Sequence, residues 1–295
     1  MSITLRQLQI LVAICQRGTI TGAADRIGLS QAATSQALAE LEKQLQRRLF
    51  DRNGRRLKQN AAGTELLPGV IEVLDRVREI ERGPGAPSLN IRLCASLTVG
   101  NYLLPSFIGR FARRYPGARF QMEVGNTEHV VASVRQFESD AGWIEGLARD
   151  PHLRSFPWRQ DRLVVIAAPN HPLAGRRVKA AALSDASWVL REKGSGTREV
   201  FEEAIAGKFS LLHAPLELGG IGAVKRAVMA GMGLGCISRS TIELELKARQ
   251  LAVVHTPWLD LHRQITLLVH RQKYLDRGLR QFLGFCGVEL SPRLN

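Results

Sequence analysis

The chain predicts an α+β multidomain fold: an N-terminal winged helix-turn-helix, a linker helix, and a C-terminal α/β domain. Three observations predict it. Helically spaced apolar residues, alanines and caps fill the first fifty positions and run into a basic hairpin. An apolar stripe spaced 4-3-4-3 follows between Thr64 and Glu81. From Asn90 onward, short β-like runs alternate with helical stretches. At 295 residues the chain is long enough for two or three domains, and its 45% hydrophobic content is that of a globular protein.

Leu5, Leu8, Leu11 and Val12 predict a first helix that ends near Gly18. Ala23, Ala24 and Ile27 form the buried side of a short second helix, stopped by Gly28. Leu29 plugs the core, and Ser30 caps a third helix from Gln31 to about Gln46. Its inward face is expected to be Ala33, Ala37, Leu38, Leu41 and Leu45. Its outward face, beyond the Ser30 cap, is expected to carry Gln31, Ala32, Thr34, Ser35 and Gln36, short groups suited to base edges and phosphates. Lys43, Arg47, Arg48, Arg52, Arg55, Arg56 and Lys58 then gather around a single acid, Asp51. Asn53-Gly54 marks the tip of a hairpin between Leu49-Phe50 and Leu57. A basic hairpin beside such a helix is a wing, and Arg52, Arg55 and Arg56 are its candidate contacts to a duplex backbone or minor groove. The partner implied is double-stranded DNA. A formal net charge of +14 suits a polyanion, although ten of those excess charges lie from Ser88 onward.

This segment resembles the N-terminal domain of LysR-type transcriptional regulators. The resemblance rests on Ala23-Ala24, Leu29-Ser30-Gln31, Ser35, Leu41-Glu42, Leu49-Phe50-Asp51-Arg52 and Ala62-Gly63. The chain departs from the family pattern at Gln36, where Arg is common, at Gln59-Asn60 after the wing, and at Gln46, where Gly often follows the third helix. The resemblance implies a homodimer or homotetramer that binds an imperfect palindrome and governs access of RNA polymerase. The amphipathic start MSITLRQLQI, unlike a secretory leader, makes a cytoplasmic location the expectation.

In the linker, Leu66, Val70, Val73, Val77 and Ile80 form a coiled-coil seam, widened by Leu67 and Leu74. Gly83-Pro84-Gly85-Ala86-Pro87 breaks the helix and marks a hinge. The expected domains are therefore 1–62 for DNA binding, 63–87 for the dimerising linker and hinge, and 88–295 for effector binding.

Strands are expected at Ile91–Ser96, Phe120–Val124, Ala141–Glu145, Leu163–Ala168, Ser187–Leu190, Leu234–Ser238 and Ile265–His270, in parallel sheets covered on both faces. The resemblance continues here and implies two lobes like those of periplasmic solute-binding proteins, 91–159 plus 263–288 and 160–259. The chain would cross between them near Gln160 and near Pro257 to Leu261. Two loops at strand ends are candidate ligand donors. The first carries Ser96, Leu97, Thr98 and Asn101 and opens a helix toward Tyr115; the second carries Gly194, Ser195, Gly196 and Thr197. Glu145 is expected to face the same cleft, with Asn126, Gly220 to Gly222 and Ser238 at other strand ends. The stretches SLTVGNYLLP, WIEG and REKGSGTREVFE look like those of sulfur-metabolism regulators, including sulfite-responsive ones. That resemblance implies a small anionic effector such as sulfite or sulfate. A small organic carboxylate is the alternative, and redox sensing through Cys236 a third reading.

Phosphate-loop, nucleophile-elbow, zinc-protease and dinucleotide fingerprints are all missing, and the seven histidines are dispersed, so an enzyme is not expected. Cys15, Cys94, Cys236 and Cys286 are scattered without ligand spacing, so neither a metal nor a cofactor is expected. No apolar run approaches membrane-spanning length, and no membrane partner is expected.

Overall fold

The computed structural model describes residues 3–81, 90–208 and 213–289; the expected hinge at Gly83–Pro87 lies outside them. The chain divides into two compact units, one of residues 1–89 with 136–138 and 271–281, the other of the remainder.

In the first unit, α1 (Leu5–Arg17) begins at a capping box: the Gln7 amide donates to the Thr4 hydroxyl, and the Thr4 amide to the Gln7 side chain. It ends at Gly18, whose φ of 68° is the left-handed stop the sequence promised. The covered stripe starts at Gln7 and Leu8, one turn later than expected, and Leu5 remains 43% exposed. Thr19 and Ser30 cap α2 (Ile20–Ile27) and α3 (Gln31–Gln44). The hairpin of β1 (Phe50–Asn53) and β2 (Arg56–Gln59) turns on Gly54-Arg55, one residue beyond the expected tip. Next comes α4 (Ala61–Glu81), which starts three residues early because the Asn60 side chain accepts from the Gly63 amide. Ile10, Leu11, Ile14, Ala23, Leu38, Leu41 and Leu49 form a single core that Val70 and Leu74 of α4 join. The expected seam is thus split: Val70 is buried, whereas Val73 and Ile80 stay exposed.

The second unit begins with β3 (Asn90–Ser96), a π-helical turn over Val99–Leu103, and α5 (Leu104–Arg114). β4 (Arg119–Gly125), α6 (Thr127–Arg135), β5 (Ala141–Glu145) and a fifteen-residue β6 (Leu153–Ala167) follow. Then come α7 (Ala180–Ser184), β7 (Trp188–Arg191), α8 (Gly196–Ile205), β8 (Leu216–Leu218) and α9 (Ile221–Met229). The remainder is β9 (Leu234–Ser238), α10 (Glu243–Lys247), β10 (Ala252–Val254), β11 (His262–His270) and α11 (Arg277–Phe285), the last shared with the first unit.

Strand order among the described residues is β4-β3-β5-β11-β6-β9-β7-β8, with β10 also on β6. β3 runs parallel to β4 and β5, and β7 parallel to β8 and β9. The expectation of wholly parallel sheets is corrected by β6 and β11, which pair antiparallel with each other and with their neighbours. These are the strands that carry the chain between lobes and back: β6 leaves the first lobe and β11 re-enters it, so the two run in opposite directions where they pair. One β6 therefore serves both lobes: Leu153 to Arg162 pairs with β11, and Leu163 to Ile166 with β9.

Both faces of each half-sheet are covered, as near-continuous apolar strands require. In the first lobe, Cys94, Val130, Val134, Ile144 and Leu268 pack beneath α6. An aromatic cluster of Phe107, Phe111, Phe120, Trp143, Trp158 and Phe282 fills out this lobe. Trp188, Phe201 and Leu163 anchor one core of the second lobe, and Val224, Val228 and Ile237 the other. Among the described residues no helix is long and apolar enough to cross a membrane.

Candidate functional site

The reading face is built by caps. Ser30 Oγ accepts from the Ala33 amide at 3.2 Å, fixing the start of α3 so that its first turn projects outward. Gln31, Ala32 and Gln36 are exposed and Ser35 is half-buried. Thr34 is a correction: it is fully buried, its hydroxyl donating to the Ser30 carbonyl, and Ala33 takes the outward position instead. The cause is helical phase. Thr34, Leu38 and Leu41 lie on the stripe that α1 and α2 cover, and a threonine whose hydroxyl is satisfied by the preceding turn can be buried there.

In the wing, Arg52, Arg55, Arg56 and Lys58 are all exposed. Its base is tied by Asn60, whose amide group donates to the Arg48 carbonyl, and by Glu42, which accepts from the Leu49 amide at 2.7 Å. A Cβ at Gly63 would stand 2.4 Å from the Leu49 carbonyl oxygen, so α4 can approach the wing this closely only with glycine there.

The second site is the cleft between the two lobes, and its centre is a residue that local motifs did not flag. Arg263, at the start of β11, has a side chain only 1% exposed. Its Nε donates to Asp161 at 2.7 Å, its Nη1 to Thr197 Oγ1 at 2.9 Å, and its Nη2 to Thr98 Oγ1 at 3.2 Å. Glu145 Oε1 lies 3.7 Å from the same Nη2, placing the expected carboxylate in the cleft. Ser238 steadies Asp161 with a 2.7 Å hydrogen bond. A guanidinium removed from water costs several kcal/mol unless paired, and this one binds a carboxylate and a hydroxyl from each loop. The only sequence signal was the crossover expected at Pro257 to Leu261, next to which Arg263 sits.

The second loop also meets the start of α6 directly. The Gly196 amide donates to Thr127 Oγ1 at 3.2 Å, and the Glu128 amide to the Gly194 carbonyl at 3.3 Å. A Cβ at Gly196 would fall 2.6 Å from the Glu145 carbonyl oxygen, and one at Gly194 2.7 Å from the Glu128 carboxylate. Ser195 is buried at the N-cap of α8, and Ser96 is buried with its hydroxyl unpartnered among the described residues. Asn126 caps α6 by accepting from the His129 amide and reaches the Lys193 carbonyl at 3.5 Å.

Two expected donors serve other ends. Asn101 is exposed and spends its amide group on the Leu97 carbonyl, because the first loop winds into a π turn before α5 begins. Leu97 packs against the apolar cluster of Val164, Ile221 and Val224 in the second lobe rather than offering polar contact. Gly220 caps α9, followed by Ile221 and Gly222, and has no neighbour that demands a glycine. A further link across the cleft is Lys225, which donates to Glu245 and to the Thr241 carbonyl beneath the Tyr102 ring. Burial alone would lower Lys225, but its bonds to Glu245 and Tyr102 outweigh that and raise it. Burial pushes the Cys236 thiol up to about 12, only partly opposed by Arg263, so it stays protonated at neutral pH, the reverse of a redox-sensing thiolate.

Residues 84–290 match the LysR substrate binding domain, and residues 5–64 the bacterial regulatory helix-turn-helix of the lysR family. The chain belongs to the LysR family. It is 41% identical over 293 residues to the uncharacterized HTH-type transcriptional regulator YeiE of Escherichia coli K12, covering 99% of this chain and all of the relative. It is 31% identical to the RuBisCO operon transcriptional regulator of Allochromatium vinosum, covering 97% and 96% of the two chains. Among solved structures it is similar to the CcmR regulatory domain of Synechocystis PCC6803 in complex with 2-PG, with TM-score 0.63, 29% identity, and 67% and 95% of the chains covered. As a LysR-type regulator the protein binds DNA through its helix-turn-helix and carries an effector-binding domain; the family is one of transcriptional regulators, not enzymes.

Proposed function

We propose that this regulator is switched by a small oxyanion, sulfite or sulfate being the first choice, held between the lobes by Ser96, Thr98, Ser195 and Thr197 around Arg263. The observation that carries the reading is Arg263 itself, a buried guanidinium whose partners come from both lobes. A ligand that changes those partners changes the relation of the lobes, and it acts only by binding the two arrangements with different affinity, about 1–3 kcal/mol of coupling in typical regulators. The cluster already sets two carboxylates against one guanidinium. An incoming dianion must therefore bring a proton or displace Asp161 from Arg263. A small organic carboxylate is the second reading, favoured by the similar CcmR domain, which binds 2-PG.

On the DNA side, Ser30, Gln31, Ala32, Ser35 and Gln36 would meet the major groove, with Arg52, Arg55 and Arg56 on the flanking backbone. The exposed Val73 and Ile80 of α4 are an apolar stripe suited to a second copy of the helix. The working protein would be a cytoplasmic dimer, or a tetramer of two such pairs, on an imperfect palindrome, with effector binding altering RNA polymerase access. Residues 1–62, 63–87 and 88–295 would divide these tasks.

The test uses the full chain: thermal shift and DNA-binding anisotropy with sulfite, sulfate, thiosulfate and small carboxylates. Thr98→Ala and Ser195→Ala should lose the effector response and keep DNA affinity. A normal response from both variants places the effector elsewhere.

A further inference from the structure

The scattered cysteines promised no metal site, yet the sheet brings one of them beside two other ligand side chains. In the parallel pairing of β3 with β4, Cys94 stands directly opposite Glu123. His129 comes from the first turns of α6, which packs over the same face. The Cys94 sulfur, a Glu123 carboxylate oxygen and a His129 ring nitrogen all lie within 4.8 Å of one another. His129 Nε2 is 3.5 Å from Glu123 Oε2. Two ligand atoms bound to a tetrahedral zinc stand about 3.3–3.6 Å apart, given bond lengths of about 2.0–2.3 Å.

Each donor is held by backbone geometry. Strand register sets Cys94 against Glu123. The His129 amide donates to Asn126 Oδ1 at 2.9 Å, capping the helix that presents the imidazole. Gly125 makes room for the ring: a Cβ there would stand 2.4 Å from His129 Cδ2, so the imidazole lies against the bare end of β4. Cys94 is fully buried, while the His129 and Glu123 side chains are 48% and 68% exposed. An ion can therefore enter from solvent and meet the thiol as its floor.

We propose that Cys94, Glu123 and His129 form a binding site for a divalent zinc ion, with a fourth position open to water. One sulfur, one nitrogen and one oxygen donor suit zinc rather than calcium or magnesium, which take oxygen ligands. Binding forms the zinc–sulfur bond as the thiol proton leaves to solvent. The thiolate and carboxylate then balance the two charges of the ion. His129 follows directly on Glu128 and Thr127, the residues that touch the Gly194–Gly196 loop of the opposite lobe. The metal and the cleft thus share one turn of helix.

The experiment is a cobalt(II) titration of the full-length, reduced, chelator-stripped protein. A single equivalent should produce thiolate-to-cobalt charge-transfer absorption and the visible bands of a tetrahedral ion, both abolished by adding zinc. Cys94→Ser should remove the charge-transfer band. His129→Ala, at an exposed position that leaves the core intact, should weaken binding by at least about tenfold, the scale seen even when outer-shell partners of metal ligands are lost. Absence of a thiolate band in the natural protein overturns the proposal. So does a band that survives in Cys94→Ser, or binding indifferent to His129→Ala.

Discussion

The two functional regions of this regulator are built on opposite principles. The proposed reading face uses positions 30–36, apart from the buried Thr34, and 52–56, near neighbours along the chain, with its arginines exposed. The cleft joins Thr98, Asp161, Thr197 and Arg263, with Thr98 and Arg263 165 positions apart, buries its charge, and pairs it. Charge left in water adds little to folding and is free to meet a phosphate. Charge taken into the interior must be balanced there, so the residue that would meet an effector also holds the lobes together.

The largest effect that could break this contrast is at Arg263. Arg263→Ala leaves Asp161 and Glu145 facing each other without a cation and should cost about 3–5 kcal/mol in urea unfolding. A loss near zero would mean that the cleft charges are not stabilising one another.

pH provides the next test, because every histidine of the chain lies in the effector unit. Burial, reinforced by His152 and partly opposed by Asp150, takes His270 from 6.5 down to about 4. Between those values the unfolded chain binds more protons than the folded one, so stability held above pH 6.5 is lost as pH falls toward 4. The urea midpoint should drop across that window, and hydrogen exchange should place the loosening around β11; His270→Gln should flatten the dependence.

Arg56→Ala should leave stability unchanged while weakening binding to all DNA sequences and reducing the salt slope by about 1. An unchanged slope would remove the wing from the interface. The smallest effect concerns the turn after α3, where Gln46 holds φ 54°. Gln46→Gly should stabilise the protein by about 1 kcal/mol by relieving a left-handed side chain, measured by urea unfolding.

The helix-turn-helix and hairpin were legible because their signals are local: Ser30, Gly18, Gly28 and Asn53-Gly54 act within a few residues of themselves. Thr34 and Ala33 were exchanged because adjacent positions differ by only about 100° of helical phase, and only the packed neighbours decide which is covered. The loops at Ser96–Thr98 and Gly194–Thr197 could be picked out as strand ends, but not Arg263, whose partners are remote. β8, β10 and the first half of β6 carry no strand signal of their own, since each is short or polar and owes its conformation to a neighbour across the sheet.

By itself the sequence determined the helix-turn-helix and its hairpin, the residues Gly18, Gly28 and Ser30 that stop and start their helices, and an exposed basic face suited to a duplex, because these depend on spacing and on the conformational limits of single residues. Only the tertiary structure decided that Arg263 ties Thr98 to Thr197, and that Cys94 lies beside Glu123 and His129. Such meetings follow from strand register and from a chain that crosses between lobes and returns, and no local interval in the chain encodes either.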